Sequence, residues 1–205
     1  MLHHSLHRIY IIVALTALVI LSIANSKGED KTLFKLELHP IDRSRVGKAM
    51  PDSSAVIGST VITAMQNSEG HPEVLLYKRN DKGEWESTVV GVVTRHKEEI
   101  EWVAAGKPFP DDSRICVAAS VQHKKDGLVV FCLREPGLDP FDGDNWEQGV
   151  VKNYAGQGLA FKDLDGDDVD ELIYATQGGN ELGVLKAKEN GDHLAKEGWT
   201  DHVLD

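Results

Sequence analysis

Two short sequence phrases recur along the chain, and this repetition constrains the fold more than any other feature. The first is an apolar run with alanine at its fourth position: VITAMQ at 61–66, ICVAAS at 115–120 and LIYATQ at 172–177. The second is a tryptophan, three mostly polar residues and two apolar ones: WESTVV at 85–90, WEQGVV at 146–151 and WTDHVL at 199–204. Copies of the first phrase begin 54 and 57 residues apart, and each copy is followed by one copy of the second phrase. The two phrases therefore alternate along the chain.

Each repeat holds three or four short runs rich in Val, Ile, Thr and Tyr, separated by Gly, Asp, Asn and Pro. Such runs predict antiparallel strands. A repeat of this size that contains one small sheet is typical of a β-propeller blade, which buries its faces against neighbouring blades. We therefore predict an all-β fold, a propeller-like array of about three four-stranded antiparallel blades.

Three blades are fewer than the roughly 4 to 8 that usually close a propeller. A fainter copy of the tryptophan phrase at 36–41 supplies one leading strand at most. The sequence leaves three arrangements open: an open or partial propeller, self-association with a second copy that completes the ring, and a segment of a larger assembly.

The first 24 residues differ in character from the rest of the chain. Residues 1–8 are polar with a positive charge, and the 16 residues from Ile9 to Ala24 are almost continuously apolar and end in small residues. A membrane-spanning helix needs about 20 apolar residues. We predict a cleaved signal peptide at 1–24, with an uncleaved N-terminal anchor as the alternative. The protein is then secreted, periplasmic or bound to the cell envelope, and contacts a membrane only if that segment is uncleaved.

The remaining chain, 25–205, is predicted to be one β-repeat domain with repeats at about 43–90, 91–151 and 152–205. Its two cysteines, Cys116 and Cys132, lie in two predicted strands of one hairpin. In an oxidising compartment they could form a disulfide, or they could remain two buried thiols, because the sequence alone does not determine their register.

The charge of the chain excludes one class of partner. The sequence has 33 acidic and 22 basic residues, a net charge of −11. Affinity for nucleic acid comes from clustered Lys and Arg, and the longest basic cluster, at 123–125, is typical of a solvated turn. We predict no nucleic-acid partner.

An acidic loop at 163–171 carries six carboxylates in nine residues. Two like charges 4 Å apart repel by about 1 kcal/mol even in water, so the loop must be fully solvated or neutralised by a cation. If the chain turns at Gly166, five oxygen ligands can converge: the carboxylates of Asp163, Asp165, Asp167 and Glu171 and the carbonyl of Val169. Flexible oxygen ligands suit Ca²⁺ better than Mg²⁺. The alternative is an acidic turn without metal.

Residues 161–173 closely resemble the calcium loop of FG-GAP/VCBS repeats, found in the propellers of integrin α subunits and in many exported bacterial proteins. The family motif reads Asp-x-Asp-Gly-Asp-Gly-x-x-Asp-Leu, after an aromatic residue and before a strand. The resemblance implies that Ca²⁺ is bound through the side chains of Asp163, Asp165, Asp167 and Glu171 and the carbonyl of Val169.

This chain departs from the motif at two positions. Asp168 replaces the second glycine, at a position that tends to need a positive φ. Glu171 replaces the final aspartate, so its longer side chain has to fold back toward the ion. Other acidic stretches match less well: Asp139, Asp142 and Asp144 are more typical of a turn without metal, and 51–54 and 109–113 have too few ligands.

No catalytic motif is present: the chain lacks a Gly-x-Ser-x-Gly elbow, a His-Glu-x-x-His pair, a phosphate loop and a dinucleotide fingerprint. We predict that the protein is not an enzyme. The resemblance implies a binding, adhesion or structural module for a protein or polysaccharide, and the alternative is a carbohydrate-active lyase or hydrolase on a propeller scaffold. The tryptophans are predicted to pack between blades rather than to form a sugar platform.

Overall fold

A computed structural model of the chain describes residues 49–93, 99–110, 114–121, 127–153, 158–176, 181–189 and 191–204. Within these ranges, twelve strands form three four-stranded antiparallel sheets that do not close into a ring. The prediction of an all-β, open propeller-like array of about three blades is confirmed. The predicted signal peptide at 1–24 and the phrase at 36–41 lie outside the described residues.

Each sheet is a simple meander, in which strands adjacent in sequence are also adjacent in the sheet. The first sheet contains Ala49–Ile57 (β1), Thr60–Gln66 (β2), Pro72–Arg79 (β3) and Trp85–Val92 (β4). The second contains Ile100–Gly106 (β5), Cys116–Val121 (β6), Leu128–Leu133 (β7) and Trp146–Lys152 (β8). The third contains Gly158–Lys162 (β9), Glu171–Ala175 (β10), Leu182–Ala187 (β11) and Trp199–Leu204 (β12). The first strands β1, β5 and β9 lie side by side.

The repeated phrases occupy equivalent strands of the three sheets. The alanine phrase forms the second strands β2, β6 and β10, and the tryptophan phrase forms the fourth strands β4, β8 and β12. The β3–β4 and β7–β8 ladders both shift register at the last residue of the tryptophan phrase, Val90 and Val151. A bulge of this kind increases local twist, which suits a blade that must lie against a twisted neighbour.

The sheets stack face to face through two apolar cores. Between the first and second sheets the core includes Ile62, Ala64, Leu76, Val117 and Phe131. Between the second and third it includes Ala118, Val130, Leu172, Tyr174 and Leu185. Every residue of β6 and β7 is buried, because the second sheet has a neighbouring sheet on each side.

Two buried tryptophans hold the turns that precede the fourth strands of the second and third sheets. A single-turn 3₁₀ helix, Gly143–Asn145 or Lys196–Gly198, comes immediately before Trp146 and Trp199. The indole N–H of Trp146 donates to the carbonyl of Pro140 (3.0 Å) and that of Trp199 to the carbonyl of His193 (2.9 Å). Both side chains are buried in the inter-sheet cores, which agrees with the predicted packing role.

Cys116 and Cys132 lie directly opposite each other in the β6–β7 ladder and form a disulfide. Of the two alternatives left by the sequence, the structure therefore has the disulfide, which is compatible with an extracellular location. No helix with the length and apolar character needed to cross a membrane is present in the described part of the chain.

Candidate metal centre

The acidic loop connects β9 to β10 at one end of the third sheet. Gly166 has φ 83° and Asp168 has φ 64°, so the loop contains two left-handed residues. The positive φ predicted for Asp168 is confirmed. Aspartate tolerates this conformation better than most residues, though less well than glycine.

Asp163 holds the loop in this shape through the amides of both left-handed residues. Its Oδ1 accepts from the N–H of Gly166 at 2.7 Å, and its Oδ2 accepts from the N–H of Asp168 at 3.1 Å. Each carboxylate oxygen retains a further lone pair, so Asp163 can orient the backbone and still coordinate a cation.

In Asp167 and Glu171, one carboxylate oxygen accepts a hydrogen bond from the backbone of the loop. Asp167 accepts from the N–H of Val169 through Oδ1 (3.0 Å), and Glu171 accepts from the N–H of Leu164 through Oε2 (2.9 Å). The Glu171 contact joins the first residue of β10 to the start of the loop. In both side chains the second oxygen remains available to a cation.

Carboxylate oxygens of Asp163, Asp165 and Glu171 lie within 4.8 Å of one another. Oxygens that share one calcium ion at about 2.3–2.6 Å can lie no more than about 5 Å apart, so this spacing fits the ion. The Glu171 side chain is only 4% exposed, and its Oε1 accepts no hydrogen bond in the described part of the chain. Because a buried carboxylate oxygen without a donor is costly, this oxygen calls for a positive charge.

A lysine from the neighbouring strand reaches the same oxygens. Lys186, in β11, places Nζ 2.7 Å from Oδ2 of Asp165, 2.8 Å from Oδ2 of Asp167 and 3.1 Å from Oε1 of Glu171. Hydrogen bonds to Asp165 and Asp167, followed by the ion pair with Glu171, raise the pKa of Lys186 above its ordinary value. The contact with Lys186, followed by that with the Val169 amide, lowers the pKa of Asp167.

The structure thus brings Asp163, Asp165 and Glu171 into one group, and Asp167 joins them through its contact with Lys186. The side chain of Val169 is buried and its N–H binds Asp167, while ligation by its carbonyl stays a prediction. Sequence reasoning missed Lys186. It lies in a different strand from the loop, and only the pairing of β10 with β11 brings it near Glu171.

Asp170 ties the loop to the second sheet. Its Oδ2 accepts from the N–H of Lys107 at 2.8 Å, and its own N–H donates to the carbonyl of Lys107 at 3.1 Å. The preceding residue, Gly106, packs so closely against Phe161 and Asp170 that a Cβ atom would overlap both. This acid therefore joins the loop to the end of β5, a role that sequence reasoning did not assign.

A second polar group lies at the junction of the second and third sheets. Lys152 Nζ contacts Tyr174 Oη (2.6 Å), Glu181 Oε1 (3.0 Å) and Asp201 Oδ2 (2.6 Å). Tyr174 Oη also lies 2.8 Å from Glu181 and 2.7 Å from Asp201. Burial opposes the charge on Lys152, but hydrogen bonds to Asp201 and Glu181 outweigh it and raise its pKa. Burial, reinforced by the same carboxylates, raises the pKa of Tyr174.

The acidic turn of the second repeat uses its carboxylates differently. Asp139 Oδ1 accepts from the N–H of Phe141 (2.9 Å), and Asp142 Oδ1 accepts from the N–H of Asp144 (3.1 Å). These are local turn-capping bonds, and the absence of a metal from this turn stays a prediction. The acids of the 109–113 stretch lie outside the described residues.

No protein-family model matches this chain, and no curated protein matches it.

Proposed function

We propose that this chain is an exported, calcium-binding β-repeat protein in which Ca²⁺ is a structural ion of the 163–171 loop. The observation that carries the proposal is the buried side chain of Glu171, one carboxylate oxygen of which lies within 4.8 Å of oxygens of Asp163 and Asp165. The donor set contains only oxygen atoms, and the ligands lie in a flexible loop. Both properties favour Ca²⁺ over Mg²⁺ and over transition metals.

In this proposal the side chains of Asp163, Asp165, Asp167 and Glu171 and the carbonyl of Val169 hold the ion. When bound, the ion supplies the positive charge that lets these carboxylates lie close together. Asp163 and Glu171 also hold the loop through backbone amides. An ion that binds only the folded chain stabilises it through linkage.

A thermal melt tests the metal site. We expect Ca²⁺ at about 100 times its Kd to stabilise the chain by about 2.7 kcal/mol, and so to raise Tm by roughly 5–10 °C. A chelator should remove the increase. The variant Asp165→Ala should melt at the same temperature with Ca²⁺ and with chelator, because it lacks a carboxylate of the group.

The matched control is Asp144→Ala, which removes the same charge from the exposed acidic turn of the second repeat. It should keep the full calcium response. Identical melting curves for the wild-type chain with Ca²⁺ and with chelator would rule out a structural metal in this loop.

We further propose that the module binds a protein or polysaccharide, as the resemblance to FG-GAP/VCBS repeats implies. The net charge of −11 disfavours acidic polymers, so among polysaccharides we expect binding to neutral ones. Affinity electrophoresis against neutral and acidic polysaccharides, with Ca²⁺ present, tests this. Retardation by the acidic polymers alone would contradict it.

A further inference from the structure

We infer that Lys186 is a built-in competitor of the metal ion: calcium binding to the 163–171 loop displaces the ammonium group of Lys186 from the carboxylates. The inference rests on the proposed calcium site and adds a mechanism that sets its affinity. It follows from the position of one lysine in β11, outside the motif that marks the loop.

The lysine and the ion would need the same oxygens. Nζ lies 2.7, 2.8 and 3.1 Å from single oxygens of Asp165, Asp167 and Glu171. Ca²⁺ binds carboxylate oxygens at about 2.3–2.6 Å. The ammonium nitrogen therefore lies close to the position that a calcium ion bound to the same three oxygens would occupy. The two cations cannot be there together.

The oxygens that face Lys186 are those left free by the loop backbone. In Asp167, Oδ1 accepts from the Val169 amide and Oδ2 faces the lysine. In Glu171, Oε2 accepts from the Leu164 amide and Oε1 faces the lysine. Loop folding therefore prepares one site for a positive charge, and the ammonium meets the need of the buried Glu171 oxygen without an ion.

The lysine also has a route out of the site. Its side chain is 36% exposed, whereas that of Glu171 is 4% exposed. Lysine carries its charge on a flexible four-carbon stem and is strongly hydrated, so the ammonium can move into water while the carboxylates stay in place. We expect the loop to remain folded without metal and to bind Ca²⁺ more weakly than its carboxylates alone would.

The first test compares Lys186→Met with the wild-type chain by calorimetric titration with CaCl₂. The variant should bind Ca²⁺ about tenfold more tightly, and in chelator it should melt at a lower temperature. The matched control is Lys162→Met, which removes an equal charge immediately before the loop. Lys162 is exposed and, in the described part of the chain, makes no ion pair with the loop carboxylates, so its Kd should change by less than about twofold.

The second test uses the wild-type chain and does not depend on a variant that folds. The protein is treated briefly with acetic anhydride, with saturating CaCl₂ or with chelator, and acetylation of each lysine is measured by mass spectrometry. Calcium should raise the acetylation of Lys186 severalfold. Acetylation of Lys188, whose Nζ donates to the carbonyl of Glu197 (2.7 Å), should not change.

The outcomes separate this inference from the proposed function. Equal Kd values for wild type and Lys186→Met, or unchanged acetylation of Lys186 in a chain that binds Ca²⁺, would overturn the inference alone. Absence of calcium binding in both proteins would overturn the inference and the calcium site together. Binding by the variant but not by wild type would support the inference in its strongest form.

Discussion

Asp163 shows how one side chain can determine the path of a whole loop. Its two oxygens bind the amides of Gly166 and Asp168, the two residues of the loop with positive φ. The position of Asp168 in the motif was enough to predict its backbone conformation from sequence. The partnership with Lys186 was not predictable in the same way, because it depends on the register of two strands rather than on spacing within the loop.

The backbone of Asp168 leads to a prediction about stability. Asp168→Gly and Asp168→Ala remove the same charge, but only alanine keeps a Cβ atom in the left-handed conformation, which costs about 1–2 kcal/mol. After allowing for the greater freedom of unfolded glycine, we expect the glycine variant to have the higher free energy of unfolding by about 0.5–1 kcal/mol. Urea unfolding in chelator measures the difference.

The same pair of substitutions at Asp144 serves as the control. Asp144 lies in a 3₁₀ turn and does not have a positive φ, so there alanine should be the more stable of the two. If alanine were also the more stable at position 168, strain at that residue would be excluded.

At the scale of strands, the sequence predicted well what depends on local pattern. The alanine phrase marks β2, β6 and β10 and the tryptophan phrase marks β4, β8 and β12, because apolar runs between turn residues favour strands. Contacts made between sheets were not predictable. The acidic pattern of the loop assigns no partner to Asp170, yet its carboxylate accepts from the N–H of Lys107, the residue immediately after β5. No local pattern specifies a partner 63 residues away.

At the scale of the molecule, the second sheet packs against the first and the third through two apolar cores. The junction between the second and third sheets also contains polar side chains. Lys152 of β8 reaches across to Tyr174, Glu181 and Asp201 of the third repeat. Gly183 makes room for the Tyr174 ring, because a Cβ atom there would overlap it. This polar group adds directional hydrogen bonds to a junction that is otherwise held by apolar packing.

Tyr174→Phe tests this junction through its pH dependence. At pH 7 the variant lacks the hydroxyl that binds Lys152, Glu181 and Asp201, so its free energy of unfolding should fall by about 1–2 kcal/mol. Burial raises the folded-state pKa of Tyr174 above its unfolded value of about 10. The hydroxyl's contribution is therefore complete below pH 10 and is lost as the pH rises above that value.

The difference in the free energy of unfolding between wild type and Tyr174→Phe should accordingly become smaller above pH 10. Urea unfolding at intervals from pH 7 to pH 11 measures it, and Lys152 is present in both proteins, so its own titration is largely shared. A difference that stays constant or widens across this range would show that the hydroxyl does not stabilise the junction in its protonated form.

The placement of Cys116 opposite Cys132 makes formation of the disulfide depend on the register of the β6–β7 hairpin. A slip of one residue between β6 and β7 would turn one thiol to the opposite side of the sheet, beyond the reach of the other. The disulfide can therefore not form in a hairpin whose strands are shifted by one residue. Because residues of β6 and β7 belong to both inter-sheet cores, this one covalent bond fixes the alignment of the two strands against which both neighbouring sheets pack.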